Sequence, residues 1–303
     1  MSTSILKKIP ATLKGIIILL VLILNTLFFS ISMYFVIFAK IVIPSKVYKR
    51  RCTAILEWLS ECWIDVNLYV IERLHETQWE VSDVKNLSNK QWYFLISNHQ
   101  SFIDIFALQK VLIRKIPSFK FFMKQSLIWM PFVGIAWWAL DCIFMKRYSK
   151  ETLERNPHLR EVDMQATQKK CREFKHRPVT IVNFVEGTRF TEKKRIAQSS
   201  AYQHLLTPKA GGLAYMVAAM EGKVHELINV TIAYPNGSYD FWDFLCGRIH
   251  KIKVQVELCP IPVAILKGDY FNDPHYRALF KQWLVSLWDE KDQLLMNMLK
   301  EGG

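Results

Sequence analysis

From Gly15 to Ala39 the chain carries no charged residue, a run of 25 positions bounded by Lys14 and Lys40. As a helix such a run is long enough to cross a hydrocarbon core of about 30 Å. No small-x-small cleavage site follows a short apolar core, so the run reads as a retained anchor and not as a cleaved signal. Lys7, Lys8 and Lys14 precede it; Lys40, Lys46, Lys49, Arg50 and Arg51 follow it. The larger cluster comes after the run, which favours a C-terminal body on the cytoplasmic side. A helix or hairpin buried in one leaflet, with both ends cytoplasmic, accounts for the same charges. Asn25, Ser30 and Ser32 favour packing against a partner helix over uniform lipid exposure.

Beyond the anchor, residues Cys52 to Leu74 place Leu56, Leu59, Trp63, Val66 and other apolar residues at helical spacing, with Glu57, Glu61, Asp65 and Glu72 between them. This pattern is an amphipathic helix, either returning from the anchor or serving as an ordinary core helix. From Gln78 onward, strand and helix patterns alternate. The expected strands are 92–97, 142–145, 180–184, 227–234 and 251–258. The expected helices are 103–113, 149–176, 213–220 and 276–299. Such alternation predicts an α/β class: a mostly parallel or mixed central sheet flanked by helices, with an N-terminal membrane helix or helical hairpin. Residues 1–76 then form membrane-anchoring helices and 77–303 the body, with a basic helical insertion at 148–177. The stretch 121–140 is too short, and too broken by Pro131 and Gly134, to read as a spanning helix. Its three tryptophans, Trp129, Trp137 and Trp138, suit a membrane interface or a core equally well.

The net charge of +13 fits an anionic membrane surface or nucleic acid. The six cysteines form no C-x-x-C pair and no zinc spacing, and read as reduced thiols facing a cytoplasm. No metal-ligand cluster is visible.

Two polar clusters follow the expected strands directly. Asn98-His99-Gln100-Ser101-Phe102-Ile103-Asp104 follows the first, and Phe184-Val185-Glu186-Gly187-Thr188-Arg189 follows the third. Open α/β sheets place ligands at the carboxyl ends of their strands. A neutral imidazole takes a proton near neutral pH, and a carboxylate on its other nitrogen fixes the tautomer. Residues five apart on one helix point apart, so His99 and Asp104 meet only if His99 lies in the turn before a helix and Asp104 in its first or second turn. Asn98 or Ser101 then serves as the cap. No Gly-x-Ser-x-Gly elbow is present, so the base would activate a hydroxyl brought by the substrate. Taken alone, His99 reads as a structural histidine and Asp104 as a helix cap. Glu186-Gly187-Thr188-Arg189 offers exposed N–H groups, a hydroxyl and a guanidinium suited to phosphate. Lys124, a charge among apolar neighbours, is either a surface residue or aimed at an anion. Arg147 follows a strand end on the same expected sheet edge.

Taken together, Asn98-His99-x4-Asp104, Phe144-Met145-Lys146-Arg147, Phe184–Arg189, the Pro208–Gly212 turn and Val230–Pro235 occur in an order that resembles the lysophosphatidate acyltransferase superfamily over about residues 90 to 240. The layout is similar to a bacterial inner-membrane branch related to lysocardiolipin-type acyltransferases. The second block differs in carrying Met145-Lys146 before Arg147, and the insertion from Tyr148 to Arg177 is an addition. The resemblance implies a membrane-bound O-acyltransferase moving a fatty acyl group from acyl-CoA or acyl-carrier protein to 1-acyl-sn-glycerol 3-phosphate, giving phosphatidate. Another lysophospholipid acceptor, such as lysocardiolipin or lysophosphatidylglycerol, is the alternative; a non-catalytic basic membrane protein is a second. The resemblance also implies that His99 is the general base and Asp104 its orienting partner. Arg189 and Arg147 would hold the acceptor phosphate, with Lys124, Thr188 and Gly187 beside them, and Glu186 would order the loop. No cofactor or metal is expected beyond the thioester co-substrate. The expected partners are membrane lipids, the lysophospholipid and the acyl donor, with no nucleic acid. The expected location is a bacterial inner membrane with the catalytic body on the cytoplasmic side.

Overall fold

Pro44 stops the helix that carries the apolar run. It holds Ile43 in extended backbone (φ −93°, ψ 114°) and so closes helix α1, Ala11–Val42. Ser45 then opens helix α2, Lys46–Leu74, by accepting a hydrogen bond from the Tyr48 N–H at 3.4 Å. The computed structural model describes residues 9–82, 85–145, 155–156, 171, 174 and 176–300. Two compact units divide the chain: one holds Met1–Glu76, Lys120–Lys170 and Trp242–Arg248, the other Thr77–Phe119, Cys171–Phe241 and Ile249–Gly303.

In the first unit α1 and α2 pack as a hairpin. α1 buries Ile18, Leu22, Asn25, Met33 and Ile37, and α2 buries Cys52, Leu56, Ile64, Asn67 and Ile71, spaced by one or two helical turns. Asn25 Nδ2 donates to Asn67 Oδ1 at 2.7 Å and to the Trp63 carbonyl at 3.0 Å, while Trp63 Nε1 donates to Thr26 Oγ1 at 3.2 Å. The expected partner-helix role thus holds for Asn25, and Ser30 is buried. Ser32 differs: its hydroxyl returns to the Phe28 carbonyl at 2.9 Å in an exposed contact. The other face of α1 leaves Leu20, Leu24, Phe28, Ile31, Phe35 and Phe38 exposed. By length and composition α1 can cross a membrane.

Seven strands lie among the described residues: β1 (Gln78–Val81), β2 (Tyr93–Ser97), β3 (Phe119–Lys124), β4 (Ile143–Met145), β5 (Thr180–Asn183), β6 (Glu226–Ala233) and β7 (Lys251–Pro260). In the second unit the order is β1-β7-β6-β2-β5. β1–β7, β6–β2 and β2–β5 are parallel, and β6–β7 is antiparallel from Glu226↔Pro260 to Ala233↔Lys253. The expected mixed α/β sheet is therefore present. Its central strand β2 is wholly buried, Tyr93-Phe94-Leu95-Ile96 lying at or near zero exposure, as a strand covered on both faces requires. Helices α3 (Ile103–Leu112), α4 (Ala210–Met220) and α5 (Pro274–Lys300) flank it. α5 sets Trp288 in the core, where Nε1 donates to the Leu206 carbonyl at 3.1 Å. One turn on, the buried Lys291 donates to the Val230 carbonyl and to Thr231 Oγ1 on β6, at 2.6 and 3.0 Å.

In the first unit β3 and β4 pair in parallel, Phe122 opposite Ile143. Lys120 on β3 is buried, donating to Glu57 Oε1 of α2 and to the Leu140 carbonyl, both at 2.8 Å. Between the two strands run a 3-10 turn, Gln125–Trp129, and a six-residue helix, Gly134–Ala139, too short to span. β1 and β3 were not expected. β1 is a mostly exposed four-residue edge, and β3 sits within an apolar stretch with no alternation. Most of the expected helix 149–176 lies outside the described residues.

Candidate active site

The site begins where β2 leaves the sheet. Ser97 still pairs with Val230, but Asn98 continues the ladder with its side chain. Asn98 Oδ1 accepts from the Ile232 N–H at 2.9 Å and Nδ2 donates to the Ile232 carbonyl at 2.8 Å. The amide mimics a peptide unit, so the main chain is free to turn. Asn98 is therefore not the cap of α3. Ser101 is at most a weak one, its hydroxyl donating to the Tyr239 carbonyl at 3.1 Å while the Ile103 N–H approaches it at 3.4 Å. Asp104, in the first turn of α3, holds the loop from within: its Oδ2 accepts from the Gln100 and Ser101 N–H groups at 2.7 and 2.9 Å.

The same oxygen accepts from His99 Nδ1 at 2.9 Å. Asp104 is thus the histidine partner and not the helix cap: the N-cap of α3 is Phe102, which makes no side-chain cap bond, and the N–H groups that Asp104 accepts from lie in the loop before the helix. Tyr234, directly after β6, donates its hydroxyl to Asp104 Oδ1 at 2.7 Å. Burial and the Asp104 charge push the Tyr234 phenol well above its ordinary value, so it remains a donor. With Nδ1 held as a donor, Nε2 is the basic nitrogen, and it has no partner among the described residues. The His99 side chain keeps 15% exposure and Asp104 none.

The turn after β5 grips His99 from three sides. Phe184 stacks on the imidazole, centroids 4.0 Å apart at 19°. The Phe190 N–H donates to the His99 carbonyl at 2.6 Å. Glu186 Oε1 accepts from the His99 N–H at 2.8 Å, while Oε2 accepts from the Leu206 N–H at 2.9 Å. Glu186 is wholly buried, so its carboxylate ties two loops together and does not face the solvent side of the turn. Gly187 then takes φ +70°, and its N–H closes the turn on the Phe184 carbonyl at 2.8 Å.

Burial lifts the Glu186 carboxyl from 4.5 to about 7; the Asp104 charge adds to the rise, and the two N–H donors and Lys291 oppose it. Between those pH values the folded state keeps a proton that the unfolded state has released. Stability from this group is full below about 4.5 and is lost as pH rises through about 7. Glu186→Gln cannot titrate. The wild-type advantage over this variant should therefore shrink by about 3 kcal/mol between acid and neutral pH, read from paired denaturant midpoints in detergent. A difference independent of pH would mean that Glu186 is ionised throughout.

Cations surround the turn. Arg189 is exposed, its guanidinium 6.0 Å from the Phe102 ring centroid, with no carboxylate partner among the described residues. Lys194 donates to Thr188 Oγ1 at 2.8 Å and to the Arg189 carbonyl at 2.9 Å. Lys209 Nζ lies 3.3 Å from where a Cβ on Gly187 would stand. Lys194 and Lys209 carried no expected role. The only trace of them was position: one inside the basic run 193–195, the other in the Pro208–Gly212 turn. Lys124 is exposed at the end of β3, in the unit that does not contain His99. Arg147 lies outside the described residues. No cluster of three His, Cys, Asp or Glu side chains fit for a metal occurs among the described residues.

A family model described as Acyltransferase matches residues 78–234, which include both clusters and Tyr234. The chain is 27% identical over 194 residues to 1-acyl-sn-glycerol-3-phosphate acyltransferase 2 of Brassica napus, covering 60% of this chain and 45% of the relative. It is 24% identical over 254 residues to 1-acyl-sn-glycerol-3-phosphate acyltransferase gamma of Homo sapiens, covering 79% and 59%. The chain thus spans about half the length of the curated relatives it matches. The crystal structure of the 1-acyl-sn-glycerophosphate (LPA) acyltransferase PlsC from Thermotoga maritima superposes with a TM-score of 0.53 at 16% identity, covering 96% of this chain and 94% of that one. At that identity the likeness is one of fold.

Proposed function

The chain belongs to the acyltransferase family, and from that premise we propose that it is a membrane-associated O-acyltransferase whose acceptor is 1-acyl-sn-glycerol 3-phosphate and whose product is phosphatidate. The observation that carries this is the His99 Nδ1–Asp104 Oδ2 contact of 2.9 Å, which leaves Nε2 unpartnered at a partly exposed position. Nε2 takes the proton of the acceptor hydroxyl as its oxygen bonds to the thioester carbonyl carbon. The tetrahedral intermediate collapses, the C–S bond breaks, and the thiolate recovers the proton from Nε2. Acyl-CoA or acyl-carrier protein is the donor. Asp104 supports the imidazolium between the two steps. The Gln100 and Ser101 N–H groups are engaged by Asp104, so the oxyanion takes its donors elsewhere.

Arg189, Lys194 and Lys209 favour a phosphate monoester, which carries more charge than the diester of a lysocardiolipin or lysophosphatidylglycerol. Arg189→Ala should raise KM for lysophosphatidate by about 10- to 100-fold, the loss of a charge-assisted contact, and should change that for lysophosphatidylglycerol much less. Acyl transfer from radiolabelled acyl-CoA and acyl-carrier protein to both acceptors, in membranes containing the full chain, measures this. Equal use of the diester acceptor by the wild type would overturn the acceptor assignment while leaving the chemistry in place.

A further inference from the structure

The segment between β3 and β4 turns its large apolar side chains outward. Trp129 is 86% exposed, Trp138 50% and Phe132 49%; Met130 and Ile135 are exposed as well. Its back is fixed in place. Ala136 and Ala139 pack with Met33 and Ile37 of α1 and Leu56 of α2. The Tyr34 hydroxyl donates to the Phe132 carbonyl at 2.8 Å. A Cβ on Gly134 would lie 2.1 Å from the Ile128 carbonyl oxygen, so the turn and the short helix are closely packed. Phe132 holds left-handed backbone, φ 65°, uncommon for a bulky residue. The exposed side chains therefore sit on a built element. Single exposed apolar residues are ordinary, but a group of this size marks a contact surface.

We propose that residues 125–138 form a second membrane-inserting element beside α1, seated at the boundary between lipid headgroups and acyl chains, with Trp129 and Trp138 as its anchors. Three observations select lipid as the occupant. The Tyr34–Phe132 contact joins the segment to the turn of α1 that exposes Ile31, Phe35 and Phe38, so its apolar surface continues that of the candidate membrane helix. Tyr34 precedes Lys40 by six residues, about 9 Å along the helix, which sets the segment at the depth where α1 leaves its apolar run. Between Gln125 and Leu140 there is no Asp or Glu, and the exposed Lys124 borders the patch, as suits anionic headgroups. Tryptophan, apolar with one N–H, is favoured at that depth. This inference does not depend on the acyl-transfer chemistry.

The test uses the full chain in vesicles of phosphatidylethanolamine and phosphatidylglycerol containing a phosphatidylcholine brominated near the headgroup or near the chain end. The emission of Trp129 is isolated as the difference between wild type and Trp129→Phe, a change at an exposed site that leaves the fold intact, confirmed by circular dichroism. Shallow bromines should quench this component by about twofold or more, deep bromines less, and aqueous iodide hardly at all. Quenching by iodide without quenching by bromine would place Trp129 in water and overturn the proposal. Protection from both quenchers would mean that a protein surface, such as a second copy of the chain, covers it, and would overturn the proposal equally. Trp138→Phe, treated the same way, should report the same depth.

Discussion

Replacing His99 with alanine should lower kcat/KM for acyl transfer by about 10²–10⁴-fold, or 3–5 kcal/mol, while leaving the fold intact. The second half of that expectation rests on Asp104. Its carboxylate is buried, and removing the imidazole leaves it bonded to the Gln100 and Ser101 N–H groups and to the Tyr234 hydroxyl. It is not orphaned, so the usual penalty for an unpaired buried charge does not arise. The backbone contacts of residue 99 with Glu186 and Phe190 also survive, since they use main-chain atoms. Initial rates at saturating donor, normalised to membrane-bound protein of matching thermal midpoint, measure the effect. Activity within about twofold of wild type would remove His99 from the mechanism.

Asp104→Asn should cost both activity and stability. The rate should fall by about 10³–10⁴-fold, because the imidazolium formed during proton transfer loses its counter-charge. Stability should fall by about 1–3 kcal/mol. If the amide oxygen faces Gln100, Ser101 and His99, the amide nitrogen faces the Tyr234 hydroxyl, whose own proton then has no acceptor. The double variant Asp104→Asn/Tyr234→Phe removes that proton. Because it also removes the oxygen to which the amide N–H would donate, it should recover neither the thermal midpoint nor the rate. Recovery of both together would show that the loss of activity came from unfolding and not from chemistry.

The sequence revealed the strands where hydrophobic runs met polar clusters. β2, β5 and β6 appear within a residue or two of the expected bounds, because each is a buried run that stops at a functional turn. β1 was missed because an edge strand of four residues pairs through its backbone and needs no pattern of side chains. β3 was missed because its alternation is broken: the buried Lys120 takes an inward position by pairing with Glu57, a contact between residues 63 positions apart. At the site, the His99–Asp104 pairing was legible because five residues across a turn-to-helix junction limit the geometry. The Tyr234 contact spans 130 residues, and the Glu186 bridge to His99 spans 87. Such pairs exist only once the sheet has brought the ends of three strands together. Lys194 and Lys209 carried no signal beyond being cations in a chain rich in them.

The bridge through Glu186 bears on the order in which the protein can be completed during its synthesis. One arm of Glu186 holds His99 and the other holds Leu206, whose carbonyl is in turn held by Trp288. Lys291, one turn beyond Trp288, fastens the same helix to β6 at Val230 and Thr231. The loop that carries the base is therefore braced by a helix translated more than a hundred and seventy residues later. A nascent chain can complete its N-terminal hairpin while the loop that carries His99 still lacks that brace. By this order of contacts the loop that carries His99 is fully braced only once α5 has been made.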